Sequence, residues 1–549
     1  MKKHNTFKIV LGTLLVFAIL SWIIPAAYYS GEFVDQGRVQ VGLFDLFNYS
    51  LTSLSYFGYI GLFLIFVGGF YGILNKIPAY RNLLDAIAKG SQGKEKVILS
   101  IIMVLLAVIV SVWGIEIEML LFVPFIVSVI LFMGFDKMVA ALAVAGSSLV
   151  GVAGSTYAYG KIGMLTQALN VDITSDIYVK LMILLVGLVL LIFNTLLYIK
   201  KSESAVVENA EVKEDKVIAK KITTKKVVEE PVKKTVKVAK VSESKSTKTT
   251  KTAKATKTAS KTTKTAAKPA AKKTTKKTSK NVNKAAVKGD EVIVVKNGLI
   301  PGTFDKKQNI WPMAVMFILL LVLVLLAFFP WSSVFNITWF EEASKSVSEF
   351  TLFEFPIFGK LFGTFNSFGG WMSSDLFLVL VVFTLVLALI YKVKFNDLFE
   401  GFAAGAKKAL GPAGIVLLVY TILVLTTYHP FQLTIYKFIL GLTKGFNIAT
   451  ASLVAILSAL FNGDAAYAFQ SALPYLTSVV TNSEFYSSIG VLFQALYGVT
   501  MLVAPTSLML MIVLTYLDIP YLKWLKSTWK FILEFFAIVM IVVVILVLL

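Results

Sequence analysis

Two glutamates interrupt one of the most apolar parts of the chain. In SVWGIEIEML (Ser111–Leu120), Glu116 and Glu118 stand between the apolar runs Val97–Val112 and Met119–Met133, with no basic residue nearby in sequence. A third carboxylate, Asp464, stands beside Asn462 in FNGDAAYAF, again between apolar arms. A charge at mid-membrane costs at least ~2.5–3.5 kcal/mol and marks a functional site by default. A wet loop between two ordinary spans would carry the glutamates at no such cost. Carboxylates sharing one buried cavity disfavour a dianion. They favour a cation, a cationic amino acid, or protons shared between the acids. Lys161 adds the opposite sign: it can neutralise an acid, hold the carboxylate of a solute, or snorkel from a helix end. An amino acid supplies both signs, so that solute class is expected.

Other chemistries are poorly served. The chain has no cysteine, which excludes disulfides and thiol chemistry. His4 and His429 lie far apart in sequence, so no multi-histidine metal site is expected. With no serine elbow motif either, an enzyme is not expected, nor is a cofactor. Coupling to protons or sodium stays open. A channel would need a continuous polar pore, and the polar breaks here are local.

The elements that must position these residues are membrane helices. Apolar residues make up 57% of the chain, above the roughly 45–50% of soluble domains. Apolar runs near the ~20 residues that span a bilayer include 7–24, 181–199, 311–329, 376–391, 414–425, 489–517 and 531–549. Lys2, Lys3 and Lys8 before the first run resemble a signal peptide. The many later spans favour a retained first helix. Between the hydrophobic halves, residues 201–310 hold 29 lysines against 11 acidic residues, which is +18 of the net +21. The 200–309 segment is low-complexity Lys/Thr/Ala with almost no large apolar residue, and is expected to be a disordered linker. Its charge suits anionic lipid, nucleic acid or a ribosome surface. No aromatic is interleaved in its lysine-rich core, so base stacking is not suggested.

Lys and Arg distribute as the positive-inside rule requires if the N-terminus is inside. Outside the linker, inside segments then hold 16 of them and the remaining segments seven. The linker is then cytoplasmic and the C-terminus outside, in a multi-pass plasma-membrane protein.

The halves share a rhythm. Pro78, Pro124 and Ser155-Thr156 are spaced 46 and 31 residues apart; Pro430, Pro474 and Thr506-Ser507 are spaced 44 and 32. Each half reads as two helices, an amphipathic stretch, two apolar arms around a polar tip, an apolar segment interrupted by Ser/Thr with Gly or Pro, and a final helix. The interrupted segments are GSSLVGVAGSTYAYGKIGML and FQALYGVTMLVAPTSLMLMI. Paired interruptions at corresponding places point to a secondary transporter's binding site, because unwound backbone at membrane depth is tolerated only where it is buried or lines a cavity. One unpaired span, 310–330, reverses the second half (331–549) relative to the first (1–199). The expected fold class is therefore an all-α polytopic membrane protein. It has two inverted repeats, each with a re-entrant hairpin and a discontinuous helix, and about nine full spans plus two hairpins.

TFKIVLGTLLVFAILSWIIPAAYYSGEF, VGGFYGILNK, KGSQGKEKVIL, MGFDKMVAALAVAGSSLVGVAGST and APTSLMLMIVLTYLDIPYLKWLK resemble the YfcC-type branch of the anaerobic C4-dicarboxylate carriers, within the wider ion-transporter superfamily. The resemblance covers both hydrophobic halves and not the linker. It implies alternating access, often as dimers. It carries over to Gly114, Glu118, Gly154, Ser155, Thr156, Phe493, Gln494, Gly498, Thr500, Pro505, Thr506 and Ser507. This chain departs at Ile117 and Met119, where relatives have an acid and a Thr, and at Ala158-Tyr159, where they tend to have Asn-Pro. Tyr497 and Met501 replace polar or acidic residues, and the second tip lacks the usual Ser and Gly.

The expected function is a secondary active transporter, permease or antiporter, of a small organic solute, an amino acid, with basic ones among the candidates. The alternatives are a C4-dicarboxylate carrier and, from another class, a membrane tether acting through the linker. The candidate binding residues are Gly114, Glu116, Glu118, Gly154, Ser155, Thr156, Lys161, Asn462, Asp464, Gln494, Thr500, Thr506 and Ser507. Backbone N–H groups at 154–156 and 506–507 would hold the solute's carboxylate. Tyr157, Tyr159 and Tyr497 would line the pocket or simply pack. Glu534 is assigned to a lipid-edge or interfacial role. Expected partners are the solute, the lipid bilayer and a second copy of the chain.

Overall fold

Among the described residues, the most extensive helix contact has glycines at its closest approach. A computed structural model describes residues 5–225, 308–353, 355–363 and 366–548. In chain order, the first half runs α1 (Asn5–Ile23), a hairpin of β1 (Ala26–Tyr29) and β2 (Phe33–Gly37), α2 (Leu43–Leu74), α3 (Pro78–Gly90) and α4 (Glu95–Trp113). A 3-10 turn (Glu118–Leu121), α5 (Val123–Phe132), α6 (Lys137–Ala141), a π turn (Leu142–Gly146), α7 (Ser147–Ala153), α8 (Tyr159–Leu169) and α9 (Ile177–Lys225) follow. The second half runs α10 (Trp311–Phe328), α11 (Trp331–Phe335), α12 (Trp339–Glu349), a hairpin of β3 (Thr351–Leu352) and β4 (Phe355–Pro356), α13 (Ile357–Phe362), a 3-10 turn (Ser373–Asp375) and α14 (Leu376–Ile390). Next are α15 (Phe395–Tyr428), α16 (Phe431–Leu440), α17 (Ile448–Phe461), α18 (Ala465–Val479), a 3-10 turn (Ser483–Phe485), α19 (Tyr486–Met501), α20 (Leu508–Leu517) and α21 (Tyr521–Leu548).

The protein is mostly helical. Among the described residues, seven helices are long and apolar enough to cross a membrane: α1, α2, α4, α9, α10, α15 and α21. The expected nine do not all appear as single long helices, because α14 has only 15 residues and two apolar segments are broken. Two small β-hairpins depart from the all-α expectation. Helix α9 continues to Lys225, past the residue-200 boundary expected for the linker; residues 226–307 of that segment lie outside the described residues. The described residues up to 202 and from 308 onward, which include both hydrophobic halves, pack as one unit.

The frame of that unit is the antiparallel pair α2 and α15, the most extensive helix contact present. Glycines let the backbones touch: a Cβ on Gly405 would lie 1.9 Å from the Gly68 carbonyl oxygen, and one on Gly72 would lie 2.0 Å from that of Gly401. Gly68/Gly72 and Gly401/Gly405 are each spaced by four, the small-xxx-small pattern of membrane helix contacts. Further along, Ser53 Oγ donates to the Leu417 carbonyl (3.2 Å) and Thr421 Oγ1 to Ser50 Oγ (3.4 Å). His429 closes the far end, between Tyr49 Oη (2.5 Å) and the Val39 carbonyl oxygen (2.6 Å).

One of the two matched proline pairs does not occupy matched structural positions. Pro124 sits in the first turn of α5, whereas Pro474 lies inside α18. The 3-10 turn at Glu118–Leu121 delays the start of α5, while Asp464 caps α18 at once, accepting from the N–H groups of Ala466 (3.0 Å) and Tyr467 (3.4 Å). Pro78 and Pro430 do match: each immediately opens a short helix, α3 and α16.

Gly405→Ala is expected to destabilise the fold by ~1–3 kcal/mol or more, since the methyl group meets backbone that cannot rotate away. Gly12→Ala, with nothing within 4 Å of its Cβ, is expected to stay within ~1 kcal/mol of the parent. Thermal unfolding in detergent of the two variants beside the parent checks this.

Candidate functional site

Each polar tip is tied to the helix break of its own half. Helix α4 ends at Gly114, whose φ of +71° turns the chain left-handed and whose N–H still reaches the Val110 carbonyl (2.9 Å). A side chain there would be strained, and its Cβ would lie 3.0 Å from that of Ala158. The first break falls between α7 and α8. Ser111 Oγ donates to the Gly154 carbonyl (2.6 Å), and the Thr156 N–H donates back to the Ser111 carbonyl (2.8 Å). In the second half, Thr506 Oγ1 in the break between α19 and α20 donates to the Leu460 carbonyl (3.0 Å). Gly463 lies so close to that break that a Cβ would sit 2.1 Å from the Thr506 carbonyl oxygen.

The breaks also meet across the halves. Helix α7 packs on α4 and α19, and α8 packs on α18. Gln494 Nε2 on α19 donates to the carbonyls of Ser155 (2.7 Å) and Ala153 (3.3 Å). Gln494 Oε1 and Ser507 Oγ are buried without a hydrogen-bond partner among the described residues. That unspent capacity lies at the two breaks.

The charged residues converge where the tips approach each other. Lys161 Nζ lies 2.9 Å from Glu116 Oε2, with side chains only 15% and 10% exposed. A small pocket is lined by this pair with Ile117, Leu120, Gly463 and Asp464. Asp464 and Glu118 also act electrostatically on Lys161. Lys161 is thus paired with an acid in this structure. Glu118 is turned elsewhere: its Oε1 accepts from Ser373 Oγ at 2.6 Å.

The other expected residues take supporting positions. The N–H groups of Gly154, Ser155 and Thr156, expected to hold a carboxylate, are already bonded to the carbonyls of Val150, Val152 and Ser111. Ser155 and Thr156 spend their hydroxyls on nearby carbonyls. Asn462 is buried and engaged: its Oδ1 accepts from Thr426 and its Nδ2 donates to the Ser458 carbonyl. Thr500 is buried near the end of α19. Tyr497 Oη donates to the Gly463 carbonyl (3.0 Å), bracing the second tip. Tyr157 packs on Phe335, and Tyr159 accepts from Gln167. Glu534 is exposed and accepts from Asn194 Nδ2 of α9 (3.1 Å). Sequence reasoning missed Ser111 and Ser373. Ser111 adjoins the charged tip and carried that signal; Ser373 lies 255 residues from its partner and carried none.

Long apolar helices around two non-helical tips, two broken helices and a buried ion pair make this a multi-pass membrane protein. The model of one carrier family, described as DcuC, C4-dicarboxylate anaerobic carrier, matches residues 4–242 and 290–548, and the chain belongs to that family. The family so described is one of membrane carriers. It is also similar to an uncharacterized protein of Haemophilus influenzae, 28% identical over 140 residues, a stretch covering 26% of this chain and 28% of the relative. The chain thus spans little more than a quarter of that relative's length in this match. No solved structure matches it.

Removing one partner of a buried ion pair strands the other charge. Lys161→Met is expected to cost ~3–5 kcal/mol, and adding Glu116→Gln is expected to recover most of that loss. A double-mutant cycle of unfolding in detergent checks this: equal costs in both backgrounds would mean the pair contributes nothing.

Proposed function

We propose that the protein is a secondary active transporter of the YfcC-type branch, carrying an amino acid of basic type by alternating access. The observation that carries this reading is the pocket in which Glu116, Lys161 and Asp464 meet. Two acids against one base leave a net negative charge, with a third acid, Glu118, close by. A dianion would enter against that field. A basic amino acid complements it: its cationic groups offset Asp464 and Glu118, and its carboxylate takes Lys161 from Glu116. Gln494 and Ser507 offer unspent acceptors and a hydroxyl at the two breaks, and Ser155, Thr156 and Thr506 hold those breaks in shape.

Many secondary transporters are built from two inverted repeats, and the element lengths support that arrangement. Helices α5, α17 and α18 have 10, 14 and 15 residues, short of the ~20 that cross a bilayer. They suit arms of re-entrant hairpins, with α4 as the fourth arm. Counting the broken segments α6–α8 and α19–α20 and the short α14 as crossings gives nine spans with two hairpins. The N-terminus and the lysine-rich segment then face the cytoplasm of a plasma-membrane protein. A homodimer, contact of the lysine-rich segment with anionic lipid or nucleic acid, and coupling to protons or sodium belong to the same proposal.

A second reading is a C4-dicarboxylate carrier. The family's description favours it, with Lys161 as the carboxylate anchor.

Proteoliposome exchange separates the two. With labelled arginine inside, release is expected on adding ornithine or lysine outside, not malate or succinate, and Glu118→Gln is expected to reduce it at least ~10-fold, as loss of a charge-assisted contact would. Release from succinate-loaded vesicles driven by dicarboxylates, unaffected by Glu118→Gln, would establish the second reading instead.

A further inference from the structure

We infer that Ser373 is a positioning residue of the transport site, parking Glu118 against α2 and α14; the inference rests on the transport reading above. Ser373 lies outside both tips, in the 3-10 turn that opens α14. Asp375 fixes that turn: its Oδ2 accepts from the Met372 N–H (2.8 Å) and from Asn366 Nδ2 (3.2 Å). The turn packs on α2 and α14. Ser373 is only 8% exposed, and its hydroxyl donates to Glu118 Oε1 at 2.6 Å. A hydroxyl that donates to an ionised carboxylate makes a charge-assisted bond.

The two acids of the first tip are therefore held by different parts of the protein. Glu116 pairs with Lys161 on α8, while Glu118, two residues on, is bound to the turn before α14. Helix α2 packs on both the turn that begins at Glu118 and the turn that carries Ser373, so the two partners of this bond rest on one helix. Alternating access requires the tip to shift against α2 and α14. The Ser373 bond must break in that step, and the freed carboxylate becomes available to a cationic group of the solute. Parking stabilises one conformation and competes with the solute for Glu118.

The absence of native cysteine allows a single thiol reporter. Met119→Cys places it beside Glu118, at a position 2% exposed. Maleimide labelling is measured in this background alone and with Ser373→Ala, Ser373→Thr and Glu118→Gln. Ser373→Ala is expected to speed labelling roughly 10- to 100-fold, as loss of a hydrogen bond to a charged group would. Ser373→Thr is expected to restore slow labelling, and Ser373→Ala to add nothing once Glu118→Gln is present. In exchange assays Ser373→Ala is expected to lower the apparent KM, because more of the protein is competent to bind. If Met119→Cys does not fold, Leu376→Cys, fully buried at the start of α14, replaces it. Unchanged labelling in Ser373→Ala, or equal acceleration with and without Glu118→Gln, would overturn the inference and leave Ser373 a structural turn residue. Labelling needs no substrate, so a wild type that fails to exchange arginine would refute the amino-acid reading separately.

Discussion

Backbone that leaves a helix inside a bilayer must find its hydrogen bonds within the protein, because lipid supplies none. This chain leaves the helix four times in its apolar interior: at two tips and at two breaks. Each tip binds the break of its own half, through Ser111 with Gly154 and Thr156, and through Leu460 with Thr506. Much else follows from these ties. They require Gly114 to turn left-handed and Gly463 to carry no side chain. They bring both interruptions next to both sets of polar residues. The tie at the first break also uses the Thr156 N–H, while those of Gly154 and Ser155 bond to the end of their own helix.

The charges come second and depend on that arrangement. Glu116 is tolerated at its depth because the first tip faces α8, which delivers Lys161. Glu118 is tolerated because Ser373 reaches it from the turn before α14. Asp464 uses one oxygen to cap α18, through the N–H groups of Ala466 and Tyr467. Each acid thus has its own compensation, from a different element. The α2–α15 pair is the natural fixed frame for these elements, because its glycine contacts leave no room to slide.

Much of this was legible in the sequence. Apolar run lengths gave the membrane class, and polar interruptions gave the tips and breaks to within a few residues. Glu116, Lys161 and Asp464 stand out in the sequence as charges in apolar runs, and the fold brings them to one pocket. The proline spacing was a weaker guide: Pro124 and Pro474 match in number but not in position, since the 3-10 turn after Glu118 shifts the start of α5. The β-hairpins were missed because short strands of two to five residues leave no periodicity to read. The extension of α9 to Lys225 was missed because polarity marked those residues as linker. Ser373 was invisible because a serine before a helix is ordinary, and only the fold brings it to Glu118.

The central claim is that the pocket between the tips carries net negative charge and takes a solute bearing a cation. Equilibrium binding of labelled arginine to the purified chain in detergent tests this most directly, with Asp464→Asn beside the parent and succinate as competitor. The account predicts saturable arginine binding, weakened about tenfold or more by Asp464→Asn, as loss of a charge-assisted contact would, and not displaced by succinate. Saturable succinate binding that arginine does not displace would contradict it.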